Sequence, residues 1–353
     1  MNKKRAVLVY SAADTVGEGR NIGDYIQGLA ANQFMKAEVT VDREHLNNYA
    51  GEPVRLVMNG WFMQHPENFP PSPAIEPLFV SFHIRPAIAD RMLTEKTVDY
   101  LRRHGPIGCR DEQTRQILEA HGVPAYYSSC LTLTLGRTYR RPDGRHRHGV
   151  CFVDPFLPFS KRDFRKGWPY LLRHPLLALA IYRRLRVQML AGKGLGFRLR
   201  RFFRIGTFMR AYLSVFSEKL LATADYLTPI MSMKQADTDE KKFALADQLV
   251  SRYASAKFCV TSRIHCALPC VGIGTPVIFV DAADKDLAAG RFAGLERFFC
   301  MLRARPDGLK PEGEIAQRLD LSGKIDEDSA IPCGAEHVPY VQALTAICEK
   351  FAQ

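Results

Sequence analysis

The sequence predicts an α/β protein in which two Rossmann-like β/α/β domains face a cleft, with a C-terminal closing helix. Three observations lead to this prediction. Short apolar runs alternate with helical stretches along most of the 353 residues, which is typical of parallel sheets covered by helices on both faces. The chain is also longer than one ordinary core requires, so two domains are expected. A single strongly basic segment interrupts the alternation in the second half.

The predicted domain boundary follows Pro142-Asp143-Gly144, where turn residues break the chain just before a new apolar strand. We therefore expect an N-terminal, acceptor-side domain over residues 1–148. A C-terminal, donor-side domain is expected over 149–335, and it contains a basic amphipathic insertion at 161–210. Residues 336–353 are expected to form the closing helix.

Local patterns place the elements of the first half. Apolar runs predict strands at Ala6–Tyr10, Leu56–Met58, Leu78–Val80 and Ile107–Cys109. Helical spacing predicts helices at Asp24–Phe34, Thr94–Arg103 and Glu112–His121. Asp111 is the expected N-cap of the last of these helices, and Gly122 ends it.

The second half repeats the pattern on both sides of the basic segment. Strands are predicted at Gly149–Val153, Phe258–Val260 and Val277–Val280. Helices are predicted at Lys241–Ala254, Ile264–Val271 and His337–Phe351. Ligands in such sheets bind outside the carboxyl ends of the strands, so each strand-to-helix turn is a potential binding position.

Composition excludes several classes of protein. Hydrophobic residues make up 46% of the chain and charged residues 24%, as in ordinary globular proteins. No apolar stretch reaches the roughly 18–20 residues needed to span a bilayer, and the short apolar run after the basic N-terminus fits a strand better than a signal peptide. Nine cysteines without a C-x-x-C pair indicate buried free thiols in a reducing compartment. We expect a cytoplasmic protein.

All of the net positive charge lies in one segment. The formal net charge is +12, and segment 161–210 contains fourteen Lys and Arg residues against the single acid Asp163. Arginines lie opposite apolar side chains at helical spacing around 176–190 and 197–205, where Arg200, Arg201 and Arg204 face away from Phe202. Such helices fit an anionic membrane surface, here the inner face of the cell membrane. Nucleic acid is not expected, because the rest of the chain is near neutral and lacks a nucleic-acid motif. A solvated helical pair is the alternative.

The strongest local signal is the segment Thr261-Ser262-Arg263-Ile264-His265. A buried strand ends there in hydroxyl residues and a helix begins at once. The free N–H groups and the positive end of the helix dipole suit a phosphate or carboxylate, and Arg263 offers a two-point fork for the same anion. His265 is suited to hold a proton or a phosphate oxygen. The segment is equally consistent with an ordinary helix start that carries an arginine ion pair and a hydrogen-bonded histidine.

Two other turns carry candidate residues. Arg110 and Asp111 lie at a strand-to-helix turn, where Asp111 fits either an N-cap or a catalytic acid. Asn21, Gly23 and Asp24 belong to a glycine-rich turn that permits close approach of the backbone to a ligand.

A further group is expected to line the cleft. Asn59, Trp61 and His83 follow predicted strands on the same side of the sheet, and Arg291 comes after the strand at 277–280. Each of the first three also fits an ordinary buried side chain. No set of His, Cys and acidic residues has convincing metal-ligand spacing, so we expect no metal.

Taken together, the motifs resemble those of the polysaccharide pyruvyl transferase family. The matching segments are Asn21–Asp24, Gly108–Glu112, Cys130–Leu135, Val260–Pro269 and Gly274–Val277. They occur in the order seen in the family and span most of the chain outside the basic segment.

The resemblance implies a GT-B-like fold and phosphoenolpyruvate as the donor, with no further cofactor. It implies that Arg263 and His265 bind the donor, together with the neighbouring Ser262 and Ile264 and with Arg110. The implied product is a pyruvate ketal on a sugar, either an oligosaccharide or a lipid-linked precursor of a surface polysaccharide such as a capsule or exopolysaccharide.

The chemistry of this donor suggests a role for each candidate. Ketal formation requires a proton donor for the methylene carbon and a residue that assists the attacking hydroxyl. We assign the first role to His265 and the second to Asp24 or Asp111. Two alternatives remain open at this stage: a GT-B glycosyltransferase that uses a nucleotide sugar, and a non-catalytic protein of glycan assembly at the membrane surface.

Overall fold

A computed structural model describes residues 3–10, 15–16, 19–140, 147–157, 161–185, 195–232, 234–281 and 293–353. Within these ranges the chain is a mixed α/β structure. It has two six-stranded sheets dominated by parallel pairing and a small antiparallel sheet of three strands. The predicted α/β class is confirmed.

The first sheet is parallel throughout, with the order β4-β1-β5-β6-β7-β8. In chain order its strands are β1 (Lys4–Val9), β4 (Val39–Asp42), β5 (Val54–Phe62), β6 (Ile75–Ile84), β7 (Ile107–Cys109) and β8 (Ala125–Tyr127). Its helices are α1 (Gly23–Met35), α2 (Pro86–Met92), α3 (Glu95–Arg103), α4 (Glu112–Ala120) and α5 (Gly136–Tyr139). The predicted cap is present, since Asp111 accepts a hydrogen bond from Thr114 N. Thr94, predicted as the first residue of a helix, is the N-cap of α3 and accepts a hydrogen bond from Thr97 N.

The second sheet has the order β10-β9-β12-β13-β14-β15, and only its last pair is antiparallel. Its strands are β9 (Val150–Val153), β10 (Asp225–Leu227), β12 (Phe258–Thr261), β13 (Val277–Asp281), β14 (Cys300–Arg305) and β15 (Gly308–Glu312). The helices of this half are α6 (Lys161–Arg173), α7 (Pro175–Arg184), α8 (Leu195–Tyr212), α9 (Glu218–Thr223), α10 (Asp239–Ser255), α11 (Ile264–Ile273), α12 (Glu314–Gln317) and α13 (Val338–Ala352). None of the described helices is long and apolar enough to cross a bilayer.

The two sheets are joined by pairing and by packing. The small sheet consists of β2 (Thr15–Val16), β3 (Gly19–Asn21) and β11 (Ile230–Ser232), and its β3–β11 pair links the two halves of the chain. Helix α1 packs against α10 and α11, and a single apolar cluster contains buried side chains of both sheets. Helix α13 returns to the first sheet, where the rings of Tyr340 and Tyr127 lie 5.3 Å apart.

Two glycines allow the backbones of the two halves to touch. A Cβ atom on Gly272 of α11 would lie 2.0 Å from the carbonyl oxygen of Leu133, and one on Gly136 would lie 2.1 Å from the carbonyl oxygen of Gly272. Neither neighbour is a flexible side chain that could move aside.

We therefore expect Gly272→Ala to lower the free energy of unfolding by about 1–3 kcal/mol or more, because the added methyl group forces α11 away from the first half of the chain. Chemical denaturation of the two proteins measures this difference. Gly323→Ala is the matched control, since a Cβ at Gly323 meets no atom within 4 Å. Equal stability of both variants would contradict the close contact.

The main departures from the predicted elements concern β5 and β6. The prediction that Asn59, Trp61 and His83 follow their strands is wrong, because Asn59 and Trp61 lie within β5 and His83 within β6. The pairing of these strands shifts register between Met58 and Gly60, and Gly60 has φ +99°. Such an irregularity, with glycine at a positive φ, disguises the carboxyl end of a strand in the sequence.

Candidate active site

The hydroxyl residues at the end of β12 fix the backbone of the strongest predicted segment. Thr261 Oγ1 donates to the carbonyl oxygen of Val153 at 2.7 Å and accepts from Arg263 N at 2.9 Å. Ser262 Oγ donates to the carbonyl oxygen of Asp154 at 2.8 Å. The segment is thereby tied to the carboxyl end of β9, so its backbone is held in place before any ligand binds.

Asp154 orients the Arg263 side chain and was not predicted as a site residue. The Nε and Nη2 atoms of Arg263 both contact Asp154 Oδ2. Asp154 is buried and has φ +43°, a left-handed conformation that aspartate adopts more readily than most residues and that is found often at functional sites. The Arg263 side chain keeps 34% of its surface exposed, so a held guanidinium remains accessible to an anion.

Asp24 and His265 meet across the two halves of the chain. Asp24 lies in the first turn of α1, His265 lies in the first turn of α11, and His265 Nδ1 is 3.6 Å from Asp24 Oδ1. Gly23 lies beside this contact, and a Cβ at that position would come within van der Waals contact of the same nitrogen, at 3.4 Å. Asn21 Oδ1 accepts a hydrogen bond from Gly23 N at 3.0 Å, so the predicted Asn21 shapes the turn that presents Asp24.

Arg43 is a fully buried arginine that contacts Asp24. The guanidinium of Arg43 lies 4.7 Å from the ring centroids of both Tyr10 and Trp61. Its Nε donates to Glu44 Oε1 at 2.9 Å, and its Nη1 lies 3.4 Å from Asp24 Oδ2. The sequence gives no signal for this role, since Asp-Arg-Glu reads as an exposed charged turn. Arg43 holds the Asp24 carboxylate from the side opposite to its contact with His265.

Several buried polar atoms around Asp24 have no hydrogen-bond partner among the described residues. They are Tyr10 Oη, Gln27 Oε1, Arg43 Nη2, Asn59 Oδ1 and Trp61 Nε1. Gln27 connects the group to Asp24, because its Nε2 lies 3.3 Å from Asp24 Oδ1. The backbone carbonyl oxygen of Gln27 accepts a hydrogen bond from Asn59 Nδ2 at 3.0 Å. Burial and the Asp24 charge raise the pKa of Tyr10, so its phenol stays protonated. Unsatisfied buried donors and acceptors in one place suit a ligand rich in hydroxyl groups.

A second cluster surrounds Asp111. His83 Nδ1 lies 2.6 Å from Asp111 Oδ2, while the N and Oγ1 atoms of Thr114 each donate to Asp111 Oδ1 at 2.9 Å. Burial opposes ionisation of the Asp111 carboxyl, but the hydrogen bond and charge of His83, together with Arg110 and Thr114, outweigh it and lower the pKa of Asp111. Asp111 is therefore an ionised N-cap whose oxygens are already engaged.

Arg110 has an incompletely used guanidinium. Its side chain is 5% exposed, and its Nε lies 3.5 Å from Asp111 Oδ2 without a hydrogen-bond partner among the described residues. Its backbone N donates to the carbonyl oxygen of Phe82 at 2.9 Å, which fixes it beside the end of β6. Trp61 and His83 are register partners on β5 and β6, so the Arg110 and Arg43 clusters lie along one edge of the first sheet. A buried arginine with an unused donor suits an anion.

A second contact joins the same edges of the two sheets. Glu112 N, at the start of α4, donates to the carbonyl oxygen of Ala293 at 3.1 Å, and Tyr127 Oη donates to that of Gly294 at 2.8 Å. These residues come after β13, as Arg291 does, but the predicted Arg291 itself lies outside the described residues.

Two other features contain none of the predicted site residues. The sulfur atoms of Cys259, Cys266 and Cys270 lie within 4.8 Å of one another, a separation that suits a thiophilic ion such as Zn²⁺, but all three residues are fully buried. They therefore lack the open position of a catalytic metal site. A cavity of about 310 Å³ lies between the carboxyl end of α11 and Cys333, and none of the predicted site residues lines it.

The residues that come together fall into three groups: a fixed arginine at the amino end of a helix, a histidine–carboxylate contact across the two halves, and a set of unsatisfied polar groups on the first sheet. A family model described as polysaccharide pyruvyl transferase matches residues 21–284, which include Asp24, Arg110, Arg263 and His265. Comparisons with curated proteins and with solved structures find no significant match. Because the family model covers most of the chain, the chain belongs to the polysaccharide pyruvyl transferase family.

Proposed function

We propose that the protein transfers the pyruvyl group of phosphoenolpyruvate to two hydroxyls of a saccharide, forming a pyruvate ketal on a precursor of a surface polysaccharide. Family membership indicates the general kind of reaction, polysaccharide pyruvyl transfer. The observation that carries the finer proposal is the 3.6 Å contact between His265 and Asp24, which joins a potential acid and a potential base from opposite halves.

Phosphoenolpyruvate has a carboxylate and a phosphate, and the second half offers groups for such anions. Arg263 is held by Asp154 and remains accessible. The amino end of α11, which begins at Ile264 after Ser262 and Arg263, adds the favourable end of the helix dipole. Arg110 supplies an unused buried donor from the first half. These residues favour an arrangement in which Arg263 of the second half and Arg110 of the first half bind the two anionic groups of one donor molecule.

The reaction then proceeds in two additions. His265 donates a proton to the methylene carbon, which leaves an oxocarbenium-like centre at C2, and a sugar hydroxyl attacks C2 as Asp24 takes its proton. The C2–O bond to phosphate then breaks with its electron pair leaving on phosphate, which takes up the proton held by Asp24. The second hydroxyl attacks C2 to close the ketal and gives its proton to the imidazole of His265, which restores both residues. Asp24 suits the base better than Asp111 does, because its contacts are looser. The polar contacts of the Asp24 oxygens are 3.3–3.6 Å long, whereas Asp111 lies 2.6 Å from His83 and accepts from Thr114 at 2.9 Å. Acid–base help of this kind contributes about 10²–10⁴-fold to rate.

We place the saccharide acceptor on the first sheet. Asn59, Trp61 and Gln27 present unsatisfied polar atoms beside Asp24, and these are the partners that sugar hydroxyls require. In this arrangement the donor on the α11 side meets the acceptor at the Asp24–His265 contact.

We expect phosphoenolpyruvate to raise the melting temperature of the protein and UDP- or GDP-sugars to leave it unchanged, since only binding to the native state stabilises it. Arg263→Ala should weaken donor binding by about 10–100-fold, the usual effect of losing a hydrogen bond to a charged group. Asp154→Asn, which tolerates the left-handed backbone, should have a smaller effect of the same sign.

The control is Arg91→Ala, because Arg91 is an exposed arginine that lies 3.4 Å from the equally exposed carboxylate of Glu67. It should respond to phosphoenolpyruvate as the unmodified protein does. Stabilisation by a nucleotide sugar and none by phosphoenolpyruvate would instead support a glycosyltransferase.

A further inference from the structure

The helices of the basic segment expose an unusual amount of apolar surface. Six large apolar side chains are strongly exposed among the described residues, and five of them belong to α6, α7 and α8. These five, which we call the apolar face, are Trp168, Leu172, Leu176, Leu179 and Phe202, each between 36% and 83% exposed. Isolated exposed apolar residues are common, but a concentration of them marks an interaction surface.

The apolar face is continuous. Trp168 and Leu172 are one helical turn apart on α6, as are Leu176 and Leu179 on α7, and both helices pack against α8. On α8 the Phe203 ring lies 5.6 Å from that of Trp168 and 6.4 Å from that of Phe202. The rings of Phe202 and Tyr182 lie 6.2 Å apart, which connects α8 back to α7.

The exposure does not come from a helix that failed to pack. The inward sides of α6 and α7 bury Leu171, Leu177 and Ile181 in the core of the second sheet. The backbones of α6 and α8 touch, since a Cβ on Gly206 would lie 2.6 Å from the carbonyl oxygen of Gly167. These helices have a complete inner face and a second, outward apolar one.

The sequence pattern places Arg201 and Phe202 on different sides of α8, and their surroundings in the structure differ. Phe202 is exposed, whereas Arg201 is half-buried: its Nη2 donates to the carbonyl oxygen of Tyr182 at 2.8 Å and its guanidinium lies 4.8 Å from the Tyr182 ring. Arg201 thus fastens α8 to the end of α7 and leaves an aromatic residue outward.

Charge identifies what covers the apolar face. Lys166, Arg173 and Arg183 are exposed on the same two helices, and segment 161–210 has fourteen cations and one acid. We propose that the apolar face docks on an anionic phospholipid bilayer, with its apolar side chains among the upper acyl chains and the surrounding cations at the headgroups. Nucleic acid is also anionic and binds cations, but it has no acyl chains in which Leu172 and Leu176 could be buried. A neutral protein partner makes no use of the cations.

The docking helices are attached beside the donor segment. Tyr212, the last residue of α8, donates to the carbonyl oxygen of Phe156 at 3.0 Å, and Phe156 is two residues after Asp154, which holds Arg263. If the proposed function holds, this link places the donor site next to the membrane surface at which a lipid-linked sugar is held. The docking itself requires no transfer reaction.

Flotation with lipid vesicles tests the proposal on the full chain. The protein should float with vesicles that contain phosphatidylglycerol. With vesicles of pure phosphatidylcholine it should remain in the bottom fraction of the gradient. Replacing Trp168, Leu172, Leu176 and Leu179 together by alanine should lower the partition coefficient at least about 100-fold. Each of Lys166→Gln, Arg173→Gln and Arg183→Gln should lower it about fivefold. Val338→Ala is the matched control, because Val338 is the sixth exposed apolar residue and lies on α13.

The replaced side chains are exposed, so folding should be retained. The thermal shift with phosphoenolpyruvate verifies this and separates the two proposals, because loss of flotation with an intact shift concerns docking alone. Flotation of the fourfold variant at the level of the unmodified protein would refute membrane docking. So would absent binding to anionic vesicles, or binding to RNA that competes with vesicles and survives the fourfold replacement.

Discussion

Replacing His265 by alanine is expected to lower the turnover of pyruvyl transfer by about 10²–10⁴-fold, because the methylene carbon loses its proton donor. Donor affinity should fall less, by about 10–100-fold at most, since Arg263 and the amino end of α11 remain. Phosphate release from phosphoenolpyruvate in the presence of a saccharide acceptor measures turnover, and the thermal shift measures affinity. Full turnover with unchanged affinity would remove His265 from the mechanism.

The Asp24 partner allows a stricter test. Asp24→Asn should also reduce turnover, and the double variant should lose less than the two single losses combined, because residues that act as one unit are not additive. His45→Ala is the matched control. His45 also lies near a carboxylate, 2.9 Å from Asp42, but its side chain is 57% exposed at the surface. Strict additivity of the Asp24 and His265 variants would show that the contact between them has no role in the reaction.

Most of the fold could be predicted because its signals are local. Apolar runs became buried strands, as at β7 and β12, and the capping residue Asp111 marked the start of α4. The carboxyl ends of β5 and β6 were missed, because Asn59 and the irregularity at Gly60 resemble the end of a strand and the polar Ser81 and His83 interrupt the apolar run of β6.

The site could be predicted only in part, for the same physical reason. Arg263 and His265 were recognisable because a strand passes directly into a helix at that point. The partners of these residues come from distant parts of the chain: Asp154 follows another strand, and Asp24 belongs to the other half. Arg43 was missed because only the packed rings of Tyr10 and Trp61 turn an apparently exposed arginine into a buried one.

We expect Arg43→Met to lower the free energy of unfolding by about 3–5 kcal/mol, the effect of removing one partner from a buried ion pair. The side chains of Arg43 and Glu44 are both fully buried, so the variant leaves the Glu44 carboxylate in the interior without its cation. Glu44 Oε2 still accepts from Gln64 N at 2.9 Å and His65 N at 3.0 Å, which offsets only part of the loss. Urea denaturation at neutral pH measures the difference.

Arg55→Met is the matched control for this prediction. Arg55 is also an arginine with a carboxylate, Glu76, at 3.4 Å and an aromatic ring nearby, but 33% of its side chain is exposed. Its replacement should cost no more than about 1 kcal/mol, because water screens the pair. Adding Glu44→Gln to Arg43→Met should restore part of the stability, since the uncompensated charge is then gone. If Arg43→Met were as mild as Arg55→Met, the buried pair of Arg43 and Glu44 would contribute no more to stability than the exposed pair of Arg55 and Glu76.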